Sequence, residues 1–293
     1  MIIGILGPSS SYSEKAAKKW IREIKIFSEH TIDDETSLIK YHDSISDTII
    51  AVDGGLVDIG IVPIENSIHG SVRVTLDMLL EKDITIKEEI VIPIKHILMS
   101  KGKISDIEII SSHPQALAQC RLFLQDKFKN VKIVVTDSTS DAAKQASKHK
   151  EIAAIASIES AIKYNLSVLM ENIQDNKENY TRFVVLSKPS FKLNKTLKFS
   201  ENGEFKTSII VYLKKDKPGA LYKFIGIFAK RNINLTKIES RPSKREIGDY
   251  LFYIDFIGNI EDAIVKEVIK DISSKARMIK ILGSYPIYST NLN

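Results

Sequence analysis

Apolar and polar positions along this chain fall into short blocks that switch between two periods. A continuous apolar run at residues 1–6 predicts a strand covered on both faces, and residues 58–63, 107–111, 131–136 and 151–156 also read as strands. Helical spacing fills the gaps. Ala16, Ala17, Trp20, Ile21 and Ile24 make one stripe behind a Ser11/Glu14 capping box, and residues 45–52 predict a helix stopped by Gly54-Gly55. Residues 71–82 carry Val74, Leu76, Leu79 and Leu80. Residues 84–91 and 94–99 read as strands divided by Pro93. Ser112 with Gln115 predicts a second capping box, opening a helix with Ala116, Cys120, Phe123, Leu124 and Phe128 inward. Ser138 opens a helix to about residue 148, residues 157–164 form another, and 168–170 a short strand. This alternation predicts α/β layers with mostly parallel sheets.

The pattern changes after Pro189. Residues 189–206 are polar, Lys-rich and without period, as in a linker. Strands at 207–213, 233–240, 250–257 and 278–284, with helices opened by Pro218 and spanning 260–274, give the order βαββαβ of a ferredoxin-like domain.

Composition narrows the classes. The single cysteine, Cys120, excludes an internal disulfide and points to a reducing, cytoplasmic compartment. No apolar run approaches the roughly 18 residues of a membrane span, and the N-terminus lacks a basic leader. The net charge is +5, but Lys and Glu are interspersed, so neither nucleic acid nor membrane is an expected partner. The six histidines lack ligand spacing, and P-loop, dinucleotide and nucleophile-elbow motifs are absent, so no metal or cofactor is expected.

What remains is chemistry by hydroxyls, amides, carboxylates and Arg. Four polar turns follow strands, at residues 7–13, 63–67, 111–115 and 137–140. Helix N-termini there favour anions, and such turns gather at one edge of an α/β sheet. Ser112, Gln115 and Gln119 share one helical stripe, predicting a row of donors along a cleft. Asn179-Tyr180-Thr181-Arg182-Phe183 places an amide, a hydroxyl, a guanidinium and an aromatic wall where a loop becomes a strand. In an extended chain Thr181 and Arg182 face opposite sides.

These motifs resemble monofunctional prephenate dehydratases with a C-terminal ACT regulatory domain. The matching runs include Val62-Pro63-Ile64-Glu65-Asn66-Ser67, Ser112-His113-Pro114-Gln115-Ala116-Leu117-Ala118-Gln119, Asp137-Ser138-Thr139, Asn179-Tyr180-Thr181-Arg182-Phe183, Pro218-Gly219-Ala220-Leu221 and Ile233-Asn234-Leu235 to Pro242. Departures are Ser9-Ser10-Ser11 in the first turn, Ser140-Asp141, and Tyr222. The resemblance implies a two-lobed, periplasmic-binding-protein-like (type II) catalytic domain over 1–188, with one lobe of about 1–77 plus 168–188 and the other about 80–167. An ACT domain then covers 207–288. Beginning at Met1 with the first family strand, the chain is expected to lack a fused chorismate mutase.

The implied reaction is the decarboxylating dehydration of prephenate to phenylpyruvate in phenylalanine biosynthesis, without metal or cofactor. Arogenate dehydration, or a non-catalytic small-molecule sensor, are the alternatives. By resemblance the catalytic set is Thr181, Glu65, Asn66, Ser112, Gln119 and Arg182, with Ser11, Ser13, Ser138, Thr139 and Phe183 binding substrate. Thr181 would assist the leaving oxygen. Glu65, if buried with a raised pKa, is the second candidate acid. Arg182 would sit at an irregularity or brace the hinge. L-Phenylalanine would bind in a homodimer or homotetramer through Gly219, Ala220, Leu221, Asn234 and Leu235, with Glu239, Ser240, Arg241 and Pro242 from a neighbouring subunit.

Overall fold

The structure, a computed structural model, describes residues 1–26, 35–192, 204–214, 218–243 and 249–287. The first lobe runs β1 (Ile3–Leu6), α1 (Tyr12–Ile26), β2 (Ile39–His42), α2 (Ile45–Asp53), β3 (Ile59–Asn66), β4 (Gly70–Ser71), α3 (Arg73–Glu81) and β5 (Thr85–Pro93). The second lobe runs β6 (Ile97–Ser100), β7 (Ile109–Ser112), α4 (Pro114–Gln119), α5 (Arg121–Lys127), β8 (Lys132–Val135), α6 (Thr139–Ala146), β9 (Ile152–Ala156), α7 (Ile158–Tyr164) and β10 (Ser167–Met170). The chain then returns to the first lobe as β11 (Tyr180–Ser187).

Each lobe holds one sheet, in the orders β2-β1-β3-β11-β5 and β10-β6-β9-β7-β8. The sheets are mixed, which corrects the mostly parallel expectation. β1 runs parallel to β2 and β3, but β11 is antiparallel to β3 and β5. In the second lobe β7 is parallel to β8 and β9, whereas β6 is antiparallel to β9 and β10. The physical reason is that the chain crosses between lobes twice, so the crossing strands enter against the local direction. The crossings fall at 94–96 and 171–179. β5 therefore belongs to the first sheet and β10 to the second, not as the sequence boundaries at 80 and 168 place them.

Local signals moved in small, explicable ways. Ser71 pairs with β3, so α3 opens at Arg73. Ser112 ends β7, and the cap of α4 is His113, whose ring nitrogen accepts from the backbone N–H of Gln115. The helix expected through Cys120 breaks there, where φ is −115° and ψ 20°. Both pieces still bury Ala116, Cys120 and Leu124 in one core. Glu14 behaves largely as predicted. Its N–H bonds to Ser11 Oγ, and its carboxylate accepts from the Ser10 N–H. The side chain of Ile24 falls outside the description.

The first sheet separates two cores. On one face Ala16, Ala17 and Trp20 of α1 pack on Ile5, Ile61, Phe183 and Val185. On the other, α2 and α3 meet Val62, Ile64, Val184 and Leu186. That second core continues into the C-terminal domain, through Ile210, Tyr212, Tyr253, Leu282 and Tyr285.

The C-terminal domain is β12 (Phe205–Leu213), α8 (Ala220–Ala229), β13 (Leu235–Pro242), β14 (Tyr250–Ile257), α9 (Ala263–Lys275) and β15 (Ala276–Pro286). Its antiparallel sheet has the order β13-β14-β12-β15. β12 already begins at Phe205, so the expected linker ends earlier; its residues 193–203 lie outside the described residues. One face of this sheet carries its own helices, around Phe224, Phe228, Phe256 and Val268. The other lies on the first lobe, where β15 crosses β5 so closely that a Cβ at Gly283 would stand 2.1 Å from Ile86 O.

Candidate active site

Four turns meet where the two lobes face each other. From the first lobe, the Ser9 carbonyl accepts from Ser140 Oγ at 3.1 Å, and the Ser10 carbonyl from Ser157 Oγ at 3.3 Å. Lys15 pairs with Glu159 across the same gap at 2.8 Å. Deeper in, the end of β3 faces α4. The loop after Asn66 puts the His69 ring beside Gln115 and Gln119.

At the bottom lies Thr181, half-buried near the start of β11 and in register with Asn66. The Asn66 amide lies 2.9 Å from Thr181 Oγ1, 2.9 Å from Asn179 Oδ1 and 3.0 Å from the Tyr180 carbonyl. Asn66 Oδ1 accepts the backbone N–H groups of Ile68 and His69, each at 3.0 Å. Asn179, almost fully buried, donates to Gln119 Oε1 at 3.0 Å. That oxygen also accepts from His96 Nε2 at 2.7 Å. Thr181, Asn66, Asn179, Gln119 and His96 thus form one relay from lobe to lobe. Such buried networks fix geometry because every unmade bond is costly. Burial lowers the His96 pKa, outweighing the opposing bond to Gln119, and its Nδ1 has no partner.

Other predicted residues are placed differently. Ser112 is fully buried and donates to the Ile155 carbonyl at 2.6 Å, so its proton is committed away from the cleft. Ser138 caps α6 through the Asp141 N–H and donates to the Asp141 carboxylate. Ser11 Oγ accepts the Glu14 N–H and donates to the Leu6 carbonyl, while Ser13 is buried and Thr139 opens α6. Phe183 is core, 2% exposed against α1, rather than a substrate wall. Alternation sends Glu65 and Arg182 to the opposite face of the sheet from Asn66 and Thr181. There Glu65 meets Arg182 at 3.4 Å and Lys237 at 3.2 Å, which corrects its placement beside the leaving group. Arg182 braces the C-terminal domain, not the hinge, next to a register shift between residues 182 and 183.

His69 was missed. Its Nδ1 stands 3.3 Å from both Gln115 Nε2 and Gln119 Nε2. A nitrogen accepting from two amides cannot also donate to Asn66 Oδ1, 3.2 Å away. Its only sequence signal was its place two residues after Asn66-Ser67 in a polar turn.

Among the described residues no cluster suited to a metal is present, and no helix is long and apolar enough to cross a membrane.

Residues 3–191 match the family model for prephenate dehydratase, and residues 207–274 match that for the ACT domain. The chain belongs to the prephenate dehydratase family. The prephenate dehydratase of Methanocaldococcus jannaschii is 44% identical over 285 residues, covering 96% of both chains. The solved structure of the Arthrobacter aurescens prephenate dehydratase in complex with L-Phe superposes with a TM-score of 0.82 at 31% identity, over 98% of this chain and 90% of that one. GqqA, described as a novel type of quorum-quenching acylase, superposes at 0.81 with 26% identity over the whole of both chains.

In this member of the prephenate dehydratase family the ACT residues divide by face. Gly219 caps α8 with φ 81°, leaving the helix N-terminus without a side-chain cap. Asn234 and Leu235 lead into β13 at the sheet edge. Glu239 and Arg241 point at the catalytic lobe of the same chain. Arg241 pairs with Asp77 at 2.8 Å, while Ser240 and Pro242 are exposed. Tyr222 is 81% exposed on α8.

Proposed function

We propose that this chain converts prephenate to phenylpyruvate, carbon dioxide and water, with Thr181 assisting departure of the ring hydroxyl. The ring carboxylate leaves as carbon dioxide, and its bonding electrons enter the ring. The opposite carbon–oxygen bond breaks, and hydroxide leaves as water after gaining one proton. Aromatisation supplies much of the driving force, so the protein has to hold a dianion and aid one leaving group. The carrying observation is the 2.9 Å contact of Thr181 Oγ1 with the Asn66 amide. An N–H directed at this oxygen turns the hydroxyl proton outward, towards the cleft. Thr181 then donates a hydrogen bond or relays a solvent proton, since a free alkoxide would be too basic.

The same orientation disfavours amide hydrolysis, which needs a hydroxyl stripped of its proton by a base. For the substrate carboxylates, the N–H groups at the starts of α1 and α6, near Ser11–Ser13 and Ser138–Thr139, are suited. Purified protein given prephenate should yield an ultraviolet-absorbing keto acid. No product would overturn the reading, and faster turnover of arogenate would reassign the substrate.

We also infer L-phenylalanine as effector. The ACT match, the L-Phe complex of the Arthrobacter relative and the uncapped α8 N-terminus at Gly219 support it. Homodimerisation or tetramerisation, with Ser240 and Pro242 reaching a second copy, is part of this proposal. Titration calorimetry without heat on adding phenylalanine would count against it.

A further inference from the structure

Arg182 is the residue after Thr181, and its side chain crosses the domain boundary. Nη1 lies 2.7 Å from Asp255 Oδ2 on β14. Nε lies 3.0 Å from Glu89 Oε2 on β5, although neither approach is aligned as a hydrogen bond. Nη2 donates to the Tyr285 hydroxyl on β15 at 3.1 Å. Ser208 donates to Asp255 Oδ1 at 2.6 Å, and its oxygen stands 2.6 Å from the Tyr285 hydroxyl. A directed chain results: Arg182 to Tyr285, Tyr285 to Ser208, Ser208 to Asp255. The guanidinium is 13% exposed, Asp255 5% and Tyr285 0%.

The charges on the two sides are complementary. The catalytic lobe contributes Arg182, Glu65 and Glu89. The ACT sheet sets Asp255 on Arg182, Lys206 on Glu89 and Lys237 on Glu65, with Glu239 also 3.6 Å from Lys237. Burial pushes the Asp255 carboxyl up, but Arg182 beside it outweighs this and holds it below the usual carboxylate range. A buried guanidinium gripped by three elements cannot relax into water when one partner moves. One peptide unit then links any movement of the ACT sheet to Thr181, and β11 is irregular at the next residue.

We propose that Asp255 and Tyr285 are positioning residues for the reaction, acting on Thr181 through Arg182. The ACT domain thereby holds the reacting strand directly, and an effector that reseats its sheet alters turnover by this route. The inference rests on the reading of Thr181 given above.

Full-length Tyr285→Phe and Asp255→Asn variants test it, beside Asp255→Glu. Steady-state turnover of prephenate, its inhibition by phenylalanine and calorimetric phenylalanine binding are measured on each. Tyr285→Phe removes one oxygen and is the milder change, so it carries the test if Asp255→Asn does not fold. Expected are a kcat lowered about fivefold or more with KM within about twofold. The inhibition midpoint shifts by a similar factor, phenylalanine heat is retained, and Asp255→Glu recovers part of the loss. Wild-type kcat and an unchanged inhibition midpoint in folded Tyr285→Phe would overturn the inference. An inert wild-type protein would instead overturn the reading of the reaction.

Discussion

Asn66 and Thr181 stand opposite each other on neighbouring antiparallel strands, and the amide of one reaches the hydroxyl of the other at 2.9 Å. Thr181→Ala removes that hydroxyl while leaving the strand in place. Turnover of prephenate should fall at least tenfold, and by about 10²–10⁴ if Thr181 passes a proton. Thr181→Ser should keep most of it. Near-normal rates in a folded Thr181→Ala protein would take this residue out of the chemistry.

Phe183 distinguishes a packing role from a binding role. Filling the core beneath α1, it should cost about 3–5 kcal/mol of stability as Phe183→Ala. Phe183→Leu should leave KM for prephenate within about twofold, because the ring is 2% exposed and packed beneath α1. Urea unfolding followed by the single, fully buried Trp20 measures the first, and a strongly raised KM in Phe183→Leu would restore the binding role.

Gly283 sets how close the ACT sheet lies to the catalytic lobe. A Cβ there would meet the Ile86 carbonyl at 2.1 Å, and backbone cannot yield as a side chain does. Gly283→Ala should push β15 off β5, lower the melting temperature and make the protein more susceptible to protease. Unaltered melting and digestion would show that the domains seat differently in solution.

His96 predicts a pH dependence. Burial lowers its pKa below the ordinary 6.5, outweighing the opposing bond from Nε2 to Gln119, so the folded state disfavours the protonated ring. Below about pH 6.5 the unfolded chain binds a proton that the folded chain refuses. Stability is therefore full above that value and declines as pH falls through it. His42, also lowered by burial, adds to the same slope. Melting temperatures between about pH 7.5 and 5.5 should fall less in His96→Gln than in the parent. Identical slopes would remove His96 as a source.

Much of the chain was readable from residue order because strand and helix periods are local. The stripe from Ala16 to Ile21, the Ser138 cap and the βαββαβ order all depend on neighbours within a few residues. Thr181 and Asn66 came from their motifs, and they meet in register. Glu65 and Arg182 were harder. Alternation placed Arg182 away from Thr181, but what it met there, Asp255 and Tyr285, lies 73 and 103 residues on. His69 carries no local signature, since its partners belong to the other lobe.

Residue order by itself determined the elements, the two-part division of the chain and the polar turns, because each follows from hydrogen bonding and burial over a few positions. Only the tertiary structure decided that the sheets are mixed, that Ser112 spends its proton on Ile155, that Phe183 is core, and that Arg182 reaches into the ACT domain. Those outcomes depend on which surfaces close against each other once the chain has crossed between lobes, and spacing along a strand carries no record of that.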